Sequence, residues 1–351
     1  RADRFAVEPD GGFRYPLPVR RSTVGGAVPG DKVRFAVKRN KQGDWTAGIL
    51  TVYGAADSAK SSADAIIDSR GIPYVFPEEV FAQAEALRKA GLSAKELEGR
   101  EDLRALPLFT IDGRDAKDLD DAVSLERTAD GWVLGVHIAD VSHYVQADTP
   151  LDVEARQRGT SVYFADRVIP MLPAGEDKLA LSALMTLDAA GSCQSLRLVK
   201  SVIVSRVRGV YDEVNALFAG TADEAVRAKY ALVWPQLQEM RHLAALLKRA
   251  AEKRGTMDLI SVETRFILDE EGKPAALLPR QSGEAEGMIE QFMIAANVAV
   301  AALARRKKLP FIYRVHERPN PEKLALLMET TRALGLKTPL QSDDLPQMAL
   351  R

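Results

Sequence analysis

The stretch from Leu108 to Leu125 contains five aspartates within ten residues, enclosed by two apolar runs. Carboxylates this close repel one another, and the repulsion is relieved by raised pKa values, by bound cations or by solvent. The flanks, Leu108 to Ile111 and Ala122 to Leu125, have the composition of buried strands, so we interpret the stretch as a metal site. The alternative is a solvated surface turn, which an acid-rich loop taken alone would favour. The five residues are Asp112, Asp115, Asp118, Asp120 and Asp121.

The alternation of side chains along a strand refines this interpretation. A strand beginning at Asp118 would place Asp118 and Asp120 on the face of Ala122, and Asp121 on the opposite, apolar face. A charge that interrupts an apolar face requires a cation or a local bulge that redirects it. Hard oxygen ligands without a nearby cysteine or histidine cluster favour magnesium or manganese over zinc. The spacing lacks the Gly and the distant Glu of a calcium-binding loop, which excludes that class.

Composition limits the class of protein. The chain has 351 residues, 46% of them hydrophobic and 28% charged, which is typical of a soluble protein with room for two domains and a large core. The single cysteine, Cys193, rules out an internal disulfide and fits a reducing cytoplasm. We find no apolar run of the length of a membrane span and no secretory signal at the start. We therefore expect a cytoplasmic protein with no membrane and no disulfide partner, and a monomer.

The N-terminal region differs in charge from the rest of the chain. Residues 1–53 carry ten Lys and Arg against five acids, although the net charge of the whole chain is -1. Short segments of strand composition lie here, at Arg4 to Val7, Gly12 to Val19, Lys32 to Arg39 and Trp45 to Tyr53, which predicts a small β-barrel or sandwich. Aromatic rings among cations are typical of surfaces that bind single-stranded nucleic acid. The alternative is that these rings fill the barrel core, and we expect this for at least half of them. The rings are Phe5, Phe13, Tyr15, Phe35, Trp45 and Tyr53.

Between this region and the aspartates, the small, polar segment Ala55 to Ala63 is predicted to be a linker. Helix-start signals follow at Phe76, and a short helical segment begins at Ser93. The domain boundaries that we expect are 1–54, 55–101 for a linker with helices, and 102–351.

Beyond the aspartates we predict a β-hairpin, with strands at Asp121 to Leu125 and Trp132 to Val141 joined at Asp130-Gly131, so that the carboxylates lie at its base. Gly159 to Pro173 is predicted to be extended. A long strand over Ser195 to Val210 alternates apolar with basic residues. Three helices follow, at Gln236 to Lys253, Gly287 to Lys307 and Pro321 to Leu334; the second is apolar nearly all round, so we expect it to be buried. The basic residues of the long strand are Arg197, Lys200, Arg206 and Arg208.

Other chemically suggestive residues each have a simpler explanation. His137, Asp140 and His143 would alternate between faces of a strand, so we do not expect a metal triad. Tyr163 is either a sheet aromatic or a ring that stacks on a base. Glu290 lies on an otherwise apolar helix and must meet a cation, a hydroxyl or water. The basic run 305–308 is predicted to be a solvated helix end that complements the helix dipole.

The order of six motifs resembles the ribonuclease II and ribonuclease R (RNB) family. They are Asp112-Gly-Arg-Asp-Ala-Lys-Asp-Leu-Asp-Asp-Ala-Val, Val136-His-Ile-Ala-Asp-Val-Ser-His-Tyr-Val, Gly159-Thr-Ser-Val-Tyr, Val168-Ile-Pro-Met-Leu-Pro, Met293-Ile-Ala-Ala-Asn and Tyr313-Arg-Val-His-Glu. The resemblance extends from about Leu108 to Leu334. The N-terminal strands are similar to the OB-type, cold-shock-like module of that family. The resemblance implies an α+β protein in which an OB-type β-barrel precedes a mixed α/β RNB catalytic domain.

The resemblance also implies an activity and a set of site residues. The activity is hydrolysis of single-stranded RNA, processively from its 3′ end, to nucleoside 5′-monophosphates, with Mg²⁺ (or Mn²⁺) as cofactor. Tyr163 matches a stacking tyrosine, Glu290 matches a glutamate at the terminal nucleotide, and Phe266 is the candidate for a second stacking ring. The catalytic and metal-binding quartet is Asp112, Asp118, Asp120 and Asp121, with Asp115 outside it.

The sequence departs from the family pattern at its end. The Ser-Pro-x-Arg-Arg-Tyr motif and a C-terminal S1 module do not occur in these residues. We therefore expect a fragment of a longer protein, weakly active or inactive alone. Two rival functions stay open: a catalytically inactive RNA-binding protein of the same fold, and a metal phosphoesterase for small nucleotides. The second would not need the basic, aromatic N-terminal region.

Overall fold

The computed structural model describes residues 5–11, 15–40, 43–73, 75–114, 116, 119–159, 176–256, 263–269, 274–280, 282–315 and 320–335. Its strands are β1 (Phe5–Val7), β2 (Leu17–Val19), β3 (Asp31–Arg39), β4 (Trp45–Ala55), β5 (Glu101–Asp102), β6 (Thr110–Asp112), β7 (Asp121–Arg127), β8 (Gly131–Ala139), β9 (Asp177–Asp188), β10 (Cys193–Val204), β11 (Arg208–Val210), β12 (Glu263–Leu268) and β13 (Pro274–Arg280). Its helices are α1 (Ala59–Ser69), α2 (Glu78–Ala90), α3 (Ala94–Leu97), α4 (Val141–Tyr144), α5 (Pro150–Arg158), α6 (Tyr211–Ala219), α7 (Glu224–Tyr230), α8 (Trp234–Lys253), α9 (Glu284–Lys307) and α10 (Pro321–Ala333), with a short 3₁₀ helix at Arg21–Thr23.

The chain divides into two compact units, and each is assembled from separate stretches of sequence. The first unit consists of Arg1–Glu85, Ala147–Asp166 and Val262–Gln281. The second consists of Ala86–Gln146, Arg167–Ser261 and Ser282–Arg351. The aspartate stretch belongs to the second unit, and the basic N-terminal strands belong to the first.

The N-terminal strands of the first unit pair in the order β1-β2-β4-β3 among the residues described there. Their positions agree with the strands predicted from the turn punctuation, but the pairing does not close into a barrel within this part of the chain. Val7, Leu17, Val19 and Ala47 form the centre of a small core. This unit also contains the antiparallel pair β12 and β13.

The segment Ala55 to Ala63, predicted to be a linker, contains the start of a helix, because α1 begins at Ala59 and packs on β3 and β4. The Tyr53 hydroxyl donates a hydrogen bond to Asp68, at the other end of α1. Arg34 forms an ion pair with the same carboxylate, at 2.8 Å. Burial and the Asp68 hydrogen bond raise the pKa of the Tyr53 phenol to about 12. The small, polar residues of this segment have the composition of a linker, but packing on the sheet stabilises them as a helix.

A mixed sheet forms the centre of the second unit, with strand order β5-β10-β9-β8-β7 in the described residues. The predicted hairpin is confirmed: β7 and β8 pair antiparallel from Asp121 opposite Ile138 to Arg127 opposite Trp132. Gly131, at the start of β8, allows a close approach, because a Cβ there would lie 2.1 Å from the Leu187 carbonyl oxygen. Only glycine fits this crossing of β8 and β9.

Alternation along β8 divides its side chains between two apolar layers. Trp132, Leu134 and Val136 face the main core, where α8 and α9 cover the sheet. The opposite face carries His137 in a smaller layer that includes Ala122 and Ala180. A strand buried on both faces is fixed in register, since a one-residue slip would exchange the layers.

Instead of one long strand over Ser195 to Val210, the chain forms β10 and β11, separated at Ser205 to Val207. β10 pairs with β9, whereas β11 leaves that sheet and pairs in parallel with β6. β9, α6, α7 and the β12–β13 hairpin were not predicted. The segment Gly159 to Pro173, predicted to be extended, lies outside the described residues except for Gly159, which ends α5 with φ at 66°.

Helix α9 is only partly buried, contrary to the prediction. Met288, Ile289 and Phe292 lie in the main core, but Ile294 and Val298 are exposed, the latter at 63%. By length and composition α9 is apolar enough to cross a membrane, although no apolar run of that kind was expected from the sequence. The core contacts of α9 explain its apolar composition more simply: it is a core helix, and one of its faces is exposed among the described residues.

Candidate functional site

Asp112 is the last residue of β6, and two neighbouring strands fix its position. In β11, Val210 pairs with Asp112 in parallel register. On the other side, Phe109 forms an antiparallel bridge with Val123 through hydrogen bonds of 3.1 and 2.9 Å. Beyond this bridge β6 continues to its last residue, Asp112. On the same side of the bridge lies the first residue of the antiparallel strand β7, Asp121, so the two acidic strand ends extend from one side.

The contact between β6 and β11 is unusually close. A Cβ on Gly209 would lie 2.5 Å from the carbonyl oxygen of Thr110 and 3.0 Å from Cγ1 of Ile111. Real side chains do not approach backbone that closely, so this position requires glycine. Gly209 thereby lets β11 support the strand that ends in Asp112.

Asp120 and Asp121 are held at the start of the hairpin. Asp121 is the first residue of β7 and pairs with Ile138, and the Asp120 carbonyl accepts a hydrogen bond of 2.9 Å from the Ala139 amide. Leu119 is 2% exposed and packs against Ala139. The backbone next to the two acids is therefore anchored by one buried side chain and by pairing with β8.

The predicted alternation of faces from Asp118 is wrong, because β7 begins only at Asp121. Asp120 is exposed, while Ala122, predicted to share its face, is buried. Asp112 and Asp121 are partly buried. Asp115 and Asp118 lie outside the described residues. Among the residues that are described, no group of three or more His, Cys, Asp or Glu side chains is placed so that it could hold a metal ion.

His137 is a structural residue in this fold. Its ring is fully buried and lies between Ser124 and Ser182, with Nε2 2.9 Å from the first hydroxyl and Nδ1 2.7 Å from the second. The Ser182 hydroxyl is in turn 2.6 Å from that of Ser201. Burial lowers the pKa of His137 to about 4, so the ring is neutral at physiological pH.

Asp140 and His143 have protein partners of their own. The Asp140 carboxylate forms a buried ion pair of 2.6 Å with Arg100. His143 Nε2 lies 2.9 Å from Glu96, which also caps the first turn of α3 through Ser93. These contacts agree with the expectation that the two histidines and the aspartate do not form a metal triad.

The three predicted RNA-binding residues lie in different parts of the chain. Glu290 is an exposed residue of α9. The first turn of that helix is anchored by Asn215, whose side chain accepts from the Ala285 amide at 2.8 Å and donates to Glu286 at 2.9 Å. Phe266 lies in β12 opposite Leu277, and its side chain is outside the described set. Tyr163 also lies outside it.

The aromatic residues of the N-terminal unit separate into core and surface. Phe5 and Phe35 pack against the small core. Tyr15 is 77% exposed and Trp45 is 43% exposed. The Arg39 guanidinium lies over the Trp45 ring, 4.8 Å from its centroid. Arg39 and Trp45 together present a cation and an aromatic face on one surface.

Nothing in the sequence distinguishes Arg208 as a functional residue. It is one of four basic residues in the segment Ser195 to Val210, and its type and spacing resemble those of Arg206. In the structure its guanidinium Nη2 donates to the carbonyl oxygens of Ala116, at 2.9 Å, and Arg114, at 3.4 Å. Arg208 therefore contacts the loop that follows Asp112.

Comparison with known proteins identifies similar chains. The chain is 38% identical to ribonuclease R of Thermotoga maritima over 350 residues, which is 95% of this chain and 49% of that protein. It is 36% identical to ribonuclease R of Escherichia coli over 303 residues, which is 83% of this chain and 37% of that protein. The chain thus spans about half the length, or less, of these curated relatives.

Solved structures with the same fold include ribonuclease R of Mycoplasma genitalium in its apo form. That structure matches with a TM-score of 0.80 and 25% identity, over 99% of this chain and 58% of the other. The same enzyme in complex with double-stranded RNA matches with a TM-score of 0.80 and 27% identity, over 96% and 62%. Yeast Ssd1, described as a pseudonuclease, shares the fold alone, with a TM-score of 0.64 at 14% identity over 95% and 43%.

The described fold agrees with these matches, being a mixed arrangement of strands and helices around the sheet that carries Asp121. The RNB domain family matches residues 100–349, which include the whole aspartate stretch. Since this match extends over most of the sequence, the chain belongs to the RNB domain family.

Proposed function

We propose that the protein is a 3′-to-5′ exoribonuclease that hydrolyses single-stranded RNA processively to nucleoside 5′-monophosphates in the cytoplasm. The observation that carries the proposal is the aspartate stretch inside the RNB match, with Asp112 and Asp121 extending from the same side of one β-bridge. Similarity to ribonuclease R of two bacteria supports the reaction class. The assignment of Asp112, Asp118, Asp120 and Asp121 as the catalytic and metal-binding set is part of the proposal.

The donor chemistry fits a magnesium or manganese cofactor. Asp112, Asp120 and Asp121 offer hard carboxylate oxygens, and Asp112 and Asp121 are partly withdrawn from water. When bound, two such ions supply activation of the attacking water and neutralisation of charge at the departing 3′ oxygen. The protein's own part is to hold the backbone that carries these carboxylates, because the described aspartates do not by themselves form a group that could hold an ion. Buried Leu119 and the backbone bond from Ala139 to Asp120 do this on the β7 side.

Recognition of RNA is assigned to rings and cations outside the carboxylates. Tyr163 and Phe266 would stack on the last bases, and Glu290 would contact the terminal nucleotide. The N-terminal sheet, proposed to be part of an OB-type module, would guide the strand through the exposed pair Arg39 and Trp45. Base stacking is tolerant of sequence, so this arrangement suits an enzyme that degrades RNA of any sequence.

The test is an assay on the protein at its full natural length with 5′-labelled single-stranded RNA and Mg²⁺. We expect products shortened from the 3′ end and release of nucleoside 5′-monophosphates. Asp120→Asn removes one charge with little change of shape and should lower the rate by about two orders of magnitude or more, because metal-ion stabilisation contributes several kcal/mol. Asp130→Asn, in the exposed turn between β7 and β8, is the matched control and should keep the wild-type rate.

Trimming of RNA by Asp120→Asn at the wild-type rate would refute the proposal. RNA binding without release of monophosphates by the wild-type protein would identify the inactive RNA-binding alternative. The fold is compatible with that class, since yeast Ssd1 shares it. Faster hydrolysis of mononucleotide esters than of RNA would identify a small-nucleotide phosphoesterase.

A further inference from the structure

Strand β11 brings one arginine side chain to the loop between the first and the later aspartates. Arg208 pairs with Thr110, two residues before Asp112, in the parallel contact of β11 with β6. Its side chain crosses to the loop and donates from Nη2 to the carbonyl oxygens of Ala116 and Arg114, at 2.9 and 3.4 Å. One guanidinium thus joins β11 to the backbone that leaves Asp112.

The loop forms a turn at this point. The Ala116 amide donates to the Gly113 carbonyl at 3.0 Å, which closes the chain on itself directly after Asp112. Buried or partly buried backbone carbonyls need hydrogen-bond donors, and the two bonds from Arg208 supply donors to the carbonyls of Arg114 and Ala116. Ala116 also packs against buried Leu119, at the far end of the loop. The turn is therefore fixed by Arg208 on one side and by an apolar contact on the other.

A second, electrostatic interaction links Arg114 in the same turn to Glu213 in α6. Burial acts to raise the pKa of Glu213, but hydrogen bonds from Lys229 and Tyr230, together with the charge of Arg114, lower it overall. Tyr230 also accepts a hydrogen bond of 2.8 Å from the Val210 amide, next in β11 to Gly209. The lowered pKa keeps Glu213 ionised, so its charge attracts the guanidinium of Arg114 in the turn.

From these contacts we infer that Arg208 is a positioning residue for the carboxylate site. By holding the backbone at Arg114 and Ala116, it limits the movement of the loop that joins Asp112 to Asp120 and so favours the approach of the aspartates when a metal ion binds. The inference rests on the proposed function, because it assumes that the aspartates bind divalent ions. Arg208 itself is not a ligand, since a guanidinium has no lone pair to offer.

The physical basis is preorganisation against repulsion. Four carboxylates that must approach a common point repel one another until cations arrive, and an untethered loop would relax to separate them. Arg208 opposes this relaxation in two ways, by its two hydrogen bonds to the backbone and by a fixed positive charge beside the loop. Lysine could supply the charge but is a single compact donor on a flexible stem, so it would replace arginine only in part.

The test measures binding of Mn²⁺ to the full-length protein without RNA, by calorimetry, and hydrogen exchange of the amides from Gly113 to Asp120. In Arg208→Gln we expect Mn²⁺ affinity to fall about tenfold or more, the usual effect of removing a residue that orients ligands, with faster exchange in this segment. The Mn²⁺ affinity and the amide exchange of Arg208→Lys should lie between those of Arg208→Gln and those of the wild type. The Mg²⁺ concentration for half-maximal RNA hydrolysis should rise by the same factor, with the rate at saturating Mg²⁺ largely restored.

Arg206→Gln is the matched control, because the Arg206 side chain also donates to a backbone carbonyl, that of Arg104, but outside the aspartate loop. It should leave Mn²⁺ affinity and exchange in the loop unchanged. If Asp120→Asn weakens Mn²⁺ binding but Arg208→Gln keeps the Mn²⁺ affinity and the amide exchange of the wild type, the inference is overturned and the proposed function stands. Wild-type Mn²⁺ affinity in Asp120→Asn would overturn both. If Arg208→Gln is unfolded by circular dichroism, Arg208→Lys decides by the same criteria.

Discussion

The side chain of His137 crosses the smaller layer of the five-stranded sheet between hydroxyls on both neighbouring strands. Ser124 belongs to β7 and Ser182 to β9, so the ring links three strands. Gly135 leaves space for it, since a Cβ there would lie 2.6 Å from Nε2 of His137. A polar ring is tolerated in this layer because both of its nitrogens have partners.

At this scale we predict that His137 makes stability depend on pH. The folded pKa of about 4 lies below the unfolded value, so the unfolded chain binds more protons as pH falls from about 6.5 to about 4. Stability is therefore greatest above that window and should fall by about 2 kcal/mol between about pH 7.5 and about pH 5. Urea denaturation at several pH values measures it.

Two variants isolate this contribution. His137→Gln should be less stable at neutral pH, because it disrupts the buried hydrogen bonds, but its stability should change less with pH. Gln238→Ala, at an exposed position of α8 without a titratable side chain, should keep the wild-type pH dependence. An unchanged pH profile in His137→Gln would contradict the assignment.

At the scale of elements, two strands of three residues, β6 and β11, support the candidate site. Neither could be stable alone, and each depends on its neighbour and on the close approach at Gly209. The hairpin of β7 and β8 supplies the other side of the site and is anchored in the main core by Trp132, Leu134 and Val136. The acidic ends thus project from strands held in place by packing elsewhere.

For these elements we predict that Gly209→Ala separates β11 from β6. The new methyl group would overlap the Thr110 carbonyl, and overpacking of this kind costs about 1–3 kcal/mol or more. We also expect weaker Mn²⁺ binding, because the strand that ends in Asp112 must shift. Gly287→Ala, in α9 where no atom lies within 4 Å of the added Cβ, is the control and should keep or raise stability. Equal stability of Gly209→Ala and wild type in urea would disprove the prediction.

At the scale of the whole molecule, charge is distributed unevenly. The net charge is -1, yet the first 53 residues carry ten basic and five acidic side chains, while five aspartates are concentrated near Asp112. A basic surface attracts a polyanion over distances of about a Debye length, roughly 8 Å at physiological salt. Separate basic and acidic regions agree with the proposed function, in which the RNA backbone and the metal ions bind to different residues.

We predict from this distribution that RNA affinity depends on salt through the N-terminal unit. Lys38→Gln combined with Arg39→Gln, at exposed positions of β3, should weaken RNA binding and reduce the slope of log affinity against log salt by about 0.7 for each phosphate that the variant no longer neutralises. Lys253→Gln with Arg254→Gln removes the same charge at the exposed end of α8 and should leave the slope unchanged. Fluorescence anisotropy with labelled single-stranded RNA measures both. Equal slopes in the two double variants would contradict the prediction.

The sequence by itself determined the parts of the molecule whose pattern is local. The β7–β8 hairpin followed from two apolar runs around Asp130-Gly131, and α8 and α10 from their helical spacing. The aspartates were recognisable because their density near Asp112 is improbable without a counter-charge. The order of motifs indicated the RNB family, which the match over residues 100–349 confirms.

Only the tertiary structure decided which residues meet across long separations in sequence. Contact of β11 with β6 joins residues nearly a hundred positions apart, and no periodicity in either segment encodes it. The same holds for Arg208, which resembles Arg206 in sequence but reaches the aspartate loop, and for α1, whose linker-like composition is overridden by packing on the sheet. Local composition sets what a segment can form, whereas burial and hydrogen bonding between distant segments select what it does form, because those energies exist only after the chain has folded.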